Sequence, residues 1–302
     1  MKITLANDFG VFEMGGGSHP SARVQEIVGI GLPSKEMQSV TFSGQPGITN
    51  TGIRDRERTI TIKFDFYGDQ KDVEKLLRIV YRETDILISS GGRRRKISGI
   101  CINPEDVEKI IYHRWYAIAL QFVCTSPYFS DFYNTKVTIA QRIDQFPTGQ
   151  GEMTNEETGE TTVKWYIDLS VDAIATKRIN TAEITIQGDI PIYPVIRIQN
   201  NSVATAGVLA DYGIEVVNKT TGCRIFLDYE IAQGEVVTID LPNRRVVSSK
   251  NGNITQHLSD DTILEDFVLE LGTNEIEATN ENTNEDISVV MEYSNQYAMV
   301  VI

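Results

Sequence analysis

The sequence predicts a mainly β protein that consists of an α+β N-terminal domain followed by an antiparallel β-sandwich. Three patterns lead to this prediction. Arg58–Phe66 and Trp115–Val123 alternate apolar and polar residues with the period of two that half-buried strands show. Asp69–Tyr81 changes to the period of an amphipathic helix. After residue 133, many short apolar runs are separated by turn residues, which is typical of a sandwich.

The length and the charge distribution support two domains. The chain has 302 residues, of which 41% are hydrophobic, and we place the domains at 1–132 and 133–302. The first domain carries 17 basic and 16 acidic residues, whereas the second carries 11 and 26. An acidic second half lacks the Lys and Arg that phosphate contacts need, so we expect no sequence-specific nucleic acid binding. Solubility alone also explains this charge.

The sequence gives no sign of a membrane or secretory segment. No stretch approaches the ~18–20 consecutive apolar residues that cross a bilayer. The N-terminus has one Lys and no apolar core of the kind that marks a secretory signal. We therefore expect a soluble chain that is made in the cytoplasm without membrane insertion.

The helix and the short hairpins complete the N-terminal domain. Asp69 is the expected N-cap of the helix, and its apolar stripe consists of Val73, Leu76, Leu77 and Val80. The other predicted elements are a strand at Ser39–Phe42, an exposed hairpin tip at Ser43–Glu57, strands at Ile86–Ser89 and Ile97–Ile102 around a tight basic turn at Gly91–Lys96, and a helical turn at Asn103–Asp106.

The second domain is predicted to contain strands only. Gly149–Thr162 is polar and is expected to form a protruding hairpin or loop. Turns are predicted at Gly188-Asp189, Thr221-Gly222, Gln233-Gly234, Asn251-Gly252 and Gly272–Asn274. The predicted strands are Val137–Ile139, Trp165–Leu169, Glu183–Ile186, Val195–Ile198, Ile214–Val217, Arg224–Leu227, Val236–Leu241, Phe267–Leu271, Ser288–Tyr293 and Ala298–Ile302.

Motifs that carry chemistry are scarce. The candidates are three histidines, His19, His113 and His257, and three cysteines, Cys101, Cys124 and Cys223. Neither set has metal-ligand spacing, and the thiols are expected to be buried and free. There is no nucleophile elbow, phosphate loop or dinucleotide fingerprint. We therefore predict no enzyme, no cofactor and no metal site.

Two charged segments are candidate contact sites. Arg93, Arg94 and Arg95 lie beside Lys96 at the tip of the second hairpin, where they could face solvent, a DNA backbone or an acidic neighbouring subunit. Arg54, Asp55, Arg56 and Glu57 precede Arg58 in a similarly exposed segment with alternating signs. Alternating charges suit subunit contacts that favour one register.

The order of these elements resembles the distal tail protein (Dit) family of long-tailed bacteriophages. Four segments carry the resemblance. They are the Gly-rich hairpin Ser43–Glu57 with the strand and helix after it, the strand with a Pro-aromatic exit at Ala119–Phe129, the segment Gly188–Ile198 (GDIPIYPVIRI), and the succession of short motifs over Ile214–Thr279. Gln187 departs from this pattern, because the family has an Asn before the Gly-Asp turn.

The resemblance implies a structural role. It implies a tail-tube-like split β-barrel with one helix, followed by a galectin-like or carbohydrate-binding-module-like sandwich. Such subunits assemble as a ring, a hexamer, at the tail tip of the virion. The ring joins the tail tube protein to the tail-tip protein, and it anchors receptor-binding or peripheral baseplate proteins. Gly149, Glu152, Asn155 and Glu156 would belong to an arm that docks a neighbouring baseplate protein.

Two alternatives stay open at this point. The sandwich could act directly as a carbohydrate-binding adhesion module, which requires exposed aromatic rings on a concave face. The rings of the second domain are Tyr193, Tyr212, Phe226, Tyr229, Phe267 and Tyr293. A glycoside hydrolase would require two carboxylates across one cleft, and the abundance of acidic residues does not identify such a pair.

Overall fold

The computed structural model describes residues 1–16, 22–41, 43, 49–103, 107–110, 115–145, 149–154, 161–166, 175–201, 213–280 and 287–301. The chain forms two compact units. The first comprises Met1–Asn134, Gln187–Ile190 and Ser294–Ile302, and the second comprises Thr135–Ile186 and Pro191–Tyr293. The sequence pattern does not predict that Gln187–Ile190 and Ser294–Ile302 belong to the first unit.

Ten strands of the first unit form one antiparallel sheet with the order β2-β1-β7-β8-β10-β6-β3, to which β9 is added at β10 and β11 at β8 and β25. The elements of this unit are β1 Lys2–Asn7, β2 Gly10–Gly15, β3 Ala22–Val28, β4 Lys35–Val40, β5 Thr49–Asp55, β6 Arg58–Tyr67, α1 Gln70–Val80, β7 Thr84–Ser90, β8 Arg93–Cys101, β9 Val107–Ile110, β10 Trp115–Cys124, β11 Phe129–Asp131 and β25 Gln296–Tyr297.

Strands β6 and β10 are neighbours in this sheet and confirm the alternation in the sequence. They pair antiparallel, so that Ile62 lies opposite Leu120 and Phe64 opposite Ile118. Every second residue of both strands is buried, and all of these residues except Arg58 belong to one apolar core. At about 25 cal/mol per Å² of apolar surface, this shared face supplies much of the driving force for folding the unit.

Helix α1 covers the core where the sequence predicts it. Asp69 is the N-cap, and the Asp72 carboxylate accepts a hydrogen bond of 3.0 Å from the Asp69 backbone N–H. This contact satisfies one of the donors that a helix N-terminus leaves unpaired. Ile79 is fully buried and Leu77 only partly, so the apolar stripe is rotated slightly from the predicted one.

The turn between β7 and β8 is shorter than predicted. It consists of Gly91 and Gly92 alone, with φ of +57° and +80°. Two consecutive glycines reach the left-handed region without strain and close a hairpin in two residues. Arg93–Lys96 therefore begin β8, and the prediction of a turn over Gly91–Lys96 is wrong. Of the predicted helical turn at Asn103–Asp106, residues 104–106 lie outside the described residues.

The second unit contains two antiparallel sheets of the orders β15-β12-β24-β17-β20-β21-β22 and β16-β23-β18-β19, and a separate pair of strands, β13-β14. Its elements are β12 Thr135–Gln145, β13 Gly149–Thr154, β14 Thr161–Tyr166, β15 Ala175–Ile179, β16 Thr181–Ile186, β17 Val195–Asn200, β18 Ile214–Asn218, β19 Cys223–Leu227, β20 Val236–Asp240, β21 Arg245–Ser248, β22 Gly252–Asn253, a 3-10 turn at Thr255–His257, β23 Gly272–Asn280 and β24 Ile287–Tyr293.

The two sheets share one core, as a sandwich requires. Ile196 and Val237 come from the first sheet, Val216 and Ile276 from the second, and all are buried in the same cluster. The predicted fold class, mainly β with one helix and a C-terminal sandwich, is confirmed. The alternation of apolar and polar residues predicts these strands, because each sheet has one buried face.

Three predicted elements of the C-terminal part are wrong. Phe267–Leu271 forms no strand: Phe267 and Leu269 are fully buried, but only Leu269 bridges the backbone of Ile192. Gly272–Asn274 is not a turn but the start of β23. Over 298–301, the predicted terminal strand is irregular, and the strand lies earlier, at β25. Apolar residues in a buried loop produce the same signal as a strand.

The polar residues of the short motifs over Ile214–Thr279 stabilise buried turns. Asn218 is fully buried; its Oδ1 accepts the Thr220 N–H at 3.0 Å, and its Nδ2 donates to the Val268 carbonyl at 2.9 Å. Asn274 is also fully buried and donates to the Glu270 carbonyl at 2.7 Å. These amides satisfy backbone groups that water cannot reach. The motifs therefore mark the fold of the sandwich.

The last residues of the chain bind to the first unit. We call Ser294–Val301 the C-terminal strap. Its strand β25 pairs with β11, and Val300 donates a backbone hydrogen bond of 3.0 Å to Ile30. Gly188 explains the Gly-Asp motif, because a Cβ there would clash with the carbonyl oxygen of Gln296. Asp189 accepts the Ala298 N–H at 3.0 Å. The strap is thus an integral part of the first unit.

Candidate subunit-contact surfaces

Strands β4 and β5 form a ribbon that pairs with no other described strand. We call Lys35–Val40 with Thr49–Asp55 the ribbon. Most of its side chains are exposed, and the apolar residues Met37, Val40 and Ile53 lie among them. An isolated two-stranded hairpin is marginally stable in water. Of the exposed hairpin tip or loop predicted over Ser43–Glu57, Thr49–Asp55 instead forms strand β5, and residues 44–48 lie outside the described residues.

Arg54 lies in the ribbon, and Arg56 and Glu57 follow it directly. All three are exposed, as the sequence predicts. Glu36 on the opposite strand accepts hydrogen bonds from Arg54 at 2.8 and 2.7 Å and lies 3.7 Å from Arg56. The hydrogen bond from Arg54 is the main reason why the pKa of Glu36 lies below its usual value. Part of this charge cluster is therefore neutralised within the ribbon.

Asp55 contacts its own unit. Its carboxylate accepts the Tyr128 hydroxyl at 2.6 Å. Burial, reinforced by this negatively charged neighbour, raises the pKa of Tyr128 to about 12. Asp55 therefore joins the base of the ribbon to the loop after β10.

Arg58 is buried, which corrects its place in the exposed segment. Only 4% of it is exposed, and its guanidinium donates to the carbonyls of Pro127, Gly29, Gly31 and Ala298 at 2.6–2.8 Å. Burial lowers its pKa. A planar fork with five N–H donors can satisfy four carbonyls at once. In β6, the buried side chains lie at even-numbered positions, such as Ile60 and Ile62. Arg58 shares this alternation, which could have indicated that its side chain lies on the buried face.

The arginines at the start of β8 have different environments. Arg93 and Arg94 are exposed and have no ion-pair partner among the described residues. Arg95 is mostly buried, pairs with Asp131 at 3.1 Å and lies 3.4 Å from the centroid of the Tyr297 ring. Of the three predicted contact residues, Arg93 and Arg94 are thus exposed, whereas Arg95 contacts Tyr297 of the C-terminal strap.

The predicted docking arm is a hairpin in the described residues. Gly149 and Glu152 lie on β13, which pairs with β14 over six residue pairs. Asn155 and Glu156 lie outside the described residues. The sequence therefore predicted the hairpin at Gly149–Thr162, while its role in docking stays a prediction.

The structure places several of the residues considered for metal binding and sugar binding. The described residues contain no cluster of His, Cys, Asp and Glu that could hold a metal ion. Cys101 and Cys124 are buried and Cys223 half-buried, and all three are free. Of the aromatic rings considered for sugar binding, Phe267 and Tyr293 are buried and Phe226 and Tyr229 partly buried. Tyr193 is exposed, and Tyr212 lies outside the described residues.

No helix in the described part of the chain is long and apolar enough to cross a bilayer.

Comparisons with known proteins agree with this picture. Residues 187–297 match the family described as siphovirus-type tail component, C-terminal domain. The crystal structure of the Dit protein of phage SPP1, described as a paradigm of the hub adsorption apparatus in phages that infect Gram-positive bacteria, aligns with a TM-score of 0.57 and 15% identity over 97% of this chain and 98% of that one.

A second solved structure is a chain of the phage P2 baseplate in its activated conformation with Ca. It aligns with a TM-score of 0.50 and 11% identity over 99% of both chains. No curated protein matches the sequence. The resemblance to the distal tail protein family, expected from the order of the motifs, is confirmed.

Proposed function

We propose that this chain is the distal tail or baseplate hub protein, a structural protein of a phage tail tip. Its residues 187–297 match the siphovirus-type tail component family. The observation that carries this proposal is the fold, which is shared with SPP1 Dit over 97% of the chain, together with the family match in the second unit. Copies form a ring that joins the tail tube to the tail-tip protein and anchors host-adhesion components.

The chain acts without catalysis and without a cofactor. The polar residues of its most recognisable motifs, Asn218 and Asn274, are fully buried and bonded to backbone groups. Residues of this kind stabilise a scaffold and are not available to a substrate. Two strand pairs outside the larger sheets, the ribbon and β13–β14, supply surfaces for neighbouring proteins.

Sugar binding by the sandwich is the less supported function. Tyr193, at 47% exposure, is the ring of this set that the described residues present to solvent. Binding of the full chain to a glycan array that is lost in Tyr193→Ala would favour this alternative.

Immunogold electron microscopy tests the proposal. Gold-labelled antibody against this chain is applied to the tailed particles that encode it. We expect label at the end of the tail distal to the head. Label on the head, along the tube or nowhere on intact particles would overturn the proposed function.

A further inference from the structure

The first unit carries a groove with acidic and apolar walls. We call it the acidic groove; its volume is about 820 Å³. The turn after β1 contributes Asp8, and the segment from the end of α1 into β7 contributes Arg82, Glu83 and Asp85. Three carboxylates and one guanidinium line the groove, and Lys96 pairs with the carboxylate of Asp85, so an excess of negative charge remains. The groove therefore suits a cationic occupant.

Exposed apolar side chains line the same groove. Phe9, Tyr81 and Ile100 are 56%, 79% and 52% exposed. Arg82 already lies over the Phe9 ring at 4.8 Å from its centroid, which shows that this wall accepts a guanidinium. Arginine combines a charge that pairs with carboxylates and a planar face that stacks on rings. A groove with both features fits an arginine better than a lysine.

Two of the carboxylates have no bonded cation among the described residues. Asp85 is occupied, because it accepts hydrogen bonds from Lys96 at 2.8 Å and from Ser98 at 2.5 Å. Asp8 and Glu83 are exposed and pair with no described basic side chain. These two carboxylates are the ones that an incoming arginine would meet.

The complementary surface lies at the other end of the same hairpin. In the β7–β8 pair, Asp85 and Ser98 lie opposite each other at the groove, whereas Ser90 and Arg93 close the turn. Five residues of strand separate the two ends, a distance of about 17 Å. Arg93 and Arg94 form the arginine tip, which is exposed. A single molecule cannot bring the tip and the groove of one rigid hairpin together, but two copies can.

We propose that the arginine tip of one copy docks in the acidic groove of the next copy, head to tail. Arg93 and Arg94 would pair with Asp8 and Glu83, and their planar faces would stack on Tyr81. A contact of this kind repeats from copy to copy and generates a ring when the rotation closes. The inference rests on the proposed function, since it names the surfaces by which the ring assembles.

A charge-swap experiment on the full chain tests this interface. One variant reverses the tip, R93E/R94E, and the other reverses the groove, D8K/E83K. Native mass spectrometry and light scattering at low ionic strength measure the assembly. Each variant alone brings like charges together, so we expect its self-association to weaken about 100-fold or more. Mixed in equal amounts, the two variants should assemble, because every contact in an alternating ring is then complementary.

The matched control for the tip variant is R23E/K71E, which lowers the net charge by the same amount as R93E/R94E at two exposed residues of the same unit. It should assemble like the unaltered chain. The interface is wrong if either reversed variant assembles normally, if the mixture stays apart, or if the unaltered chain is monomeric in these conditions. Gold label at the tail tip would in each of these cases still support the proposed function, so the two failures are distinguishable.

Discussion

Arg58 shows how one side chain connects distant parts of the first unit. Its guanidinium donates to carbonyls of the loops after β3 and β10 and of the C-terminal strap, and it lies 4.6 Å from the Phe129 ring centroid. Without Arg58, these four part-buried carbonyls would lose this donor. Such unsatisfied groups cost about 1–3 kcal/mol each before any relaxation.

Replacement of Arg58 is therefore expected to destabilise the first unit strongly. Arg58→Met should lower the free energy of unfolding by more than about 3 kcal/mol, since it removes every donor from the four carbonyls. Arg58→Lys should recover only part of this loss, because an ammonium has three donors and no planar fork. Urea unfolding measures both changes.

Arg56→Met is the control for this prediction, because Arg56 lies two residues away on an exposed surface. Its effect should stay within about 0.5 kcal/mol. An Arg58→Met chain as stable as the Arg56→Met chain would contradict the role assigned to Arg58.

Glu235 is the corresponding residue in the second unit. It is almost fully buried, and its carboxylate accepts hydrogen bonds from Ser248, from the Tyr229 hydroxyl at 2.8 Å and from the Ala232 N–H at 2.8 Å. Burial alone raises its pKa. The hydrogen bonds and the charge of Lys250 outweigh burial and leave the pKa below the usual 4.5.

This shift predicts a pH dependence of stability. A folded-state pKa below the unfolded one contributes stability above the unfolded value, and that contribution is lost as the pH falls through the folded pKa. Glu235→Gln should cost about 2 kcal/mol at neutral pH, because the acceptor is no longer charged. The difference between the two chains should shrink as the pH falls below 4.5. A difference that is constant from neutral to acidic pH, measured by urea unfolding, would contradict this explanation.

At the scale of elements, the sequence predicts what periodicity encodes. Strands β6 and β10 and helix α1 have one buried face each, so their apolar residues recur at the period of the element. The fully buried loop around Phe267 and Leu269 has no such signature and resembles a strand. The same alternation indicates the buried face of Arg58, but charge alone suggests exposure.

The candidate site is less predictable than the fold. Exposure of Arg93 and Arg94 follows from their position at a turn, whereas the acidic groove combines Asp8, Glu83 and Ile100 from three separate parts of the chain. No local sequence pattern predicts that these three residues lie close together. The C-terminal strap is missed for the same reason, because its partners lie more than a hundred residues earlier.

Removal of the strap should destabilise the first unit selectively. A chain that ends at Tyr293 loses strand β25, the backbone acceptor of Arg58 and the ring beneath Arg95. We expect the unfolding transition of the first unit to shift to lower urea, while that of the second unit keeps its midpoint. A chain that lacks only residues 301–302 is the control, because Val301 is exposed. If the first unit unfolded at the same urea midpoint in both shortened chains, the strap would not stabilise that unit, which would contradict this prediction.

At the scale of the whole molecule, the distribution of charge and contact surfaces suits an assembly subunit. The ribbon and the arginine tip are exposed parts of the first unit, and residues 1–132 carry 17 basic and 16 acidic residues. Residues 133–302 carry most of the negative charge, and like charges keep molecules apart in solution. In the proposed function, these surfaces would make the repeated contacts between copies and with neighbouring proteins.

An averaged electron-microscopy map of the tail tip tests this account most directly. The map is computed from particles that carry this chain, and the structure is fitted into it without imposed symmetry. We predict several copies arranged around the tail axis as one closed ring at the end of the tube, with the first units in contact. A map in which this chain occurs as a single copy, or away from the axis, would contradict the central claim.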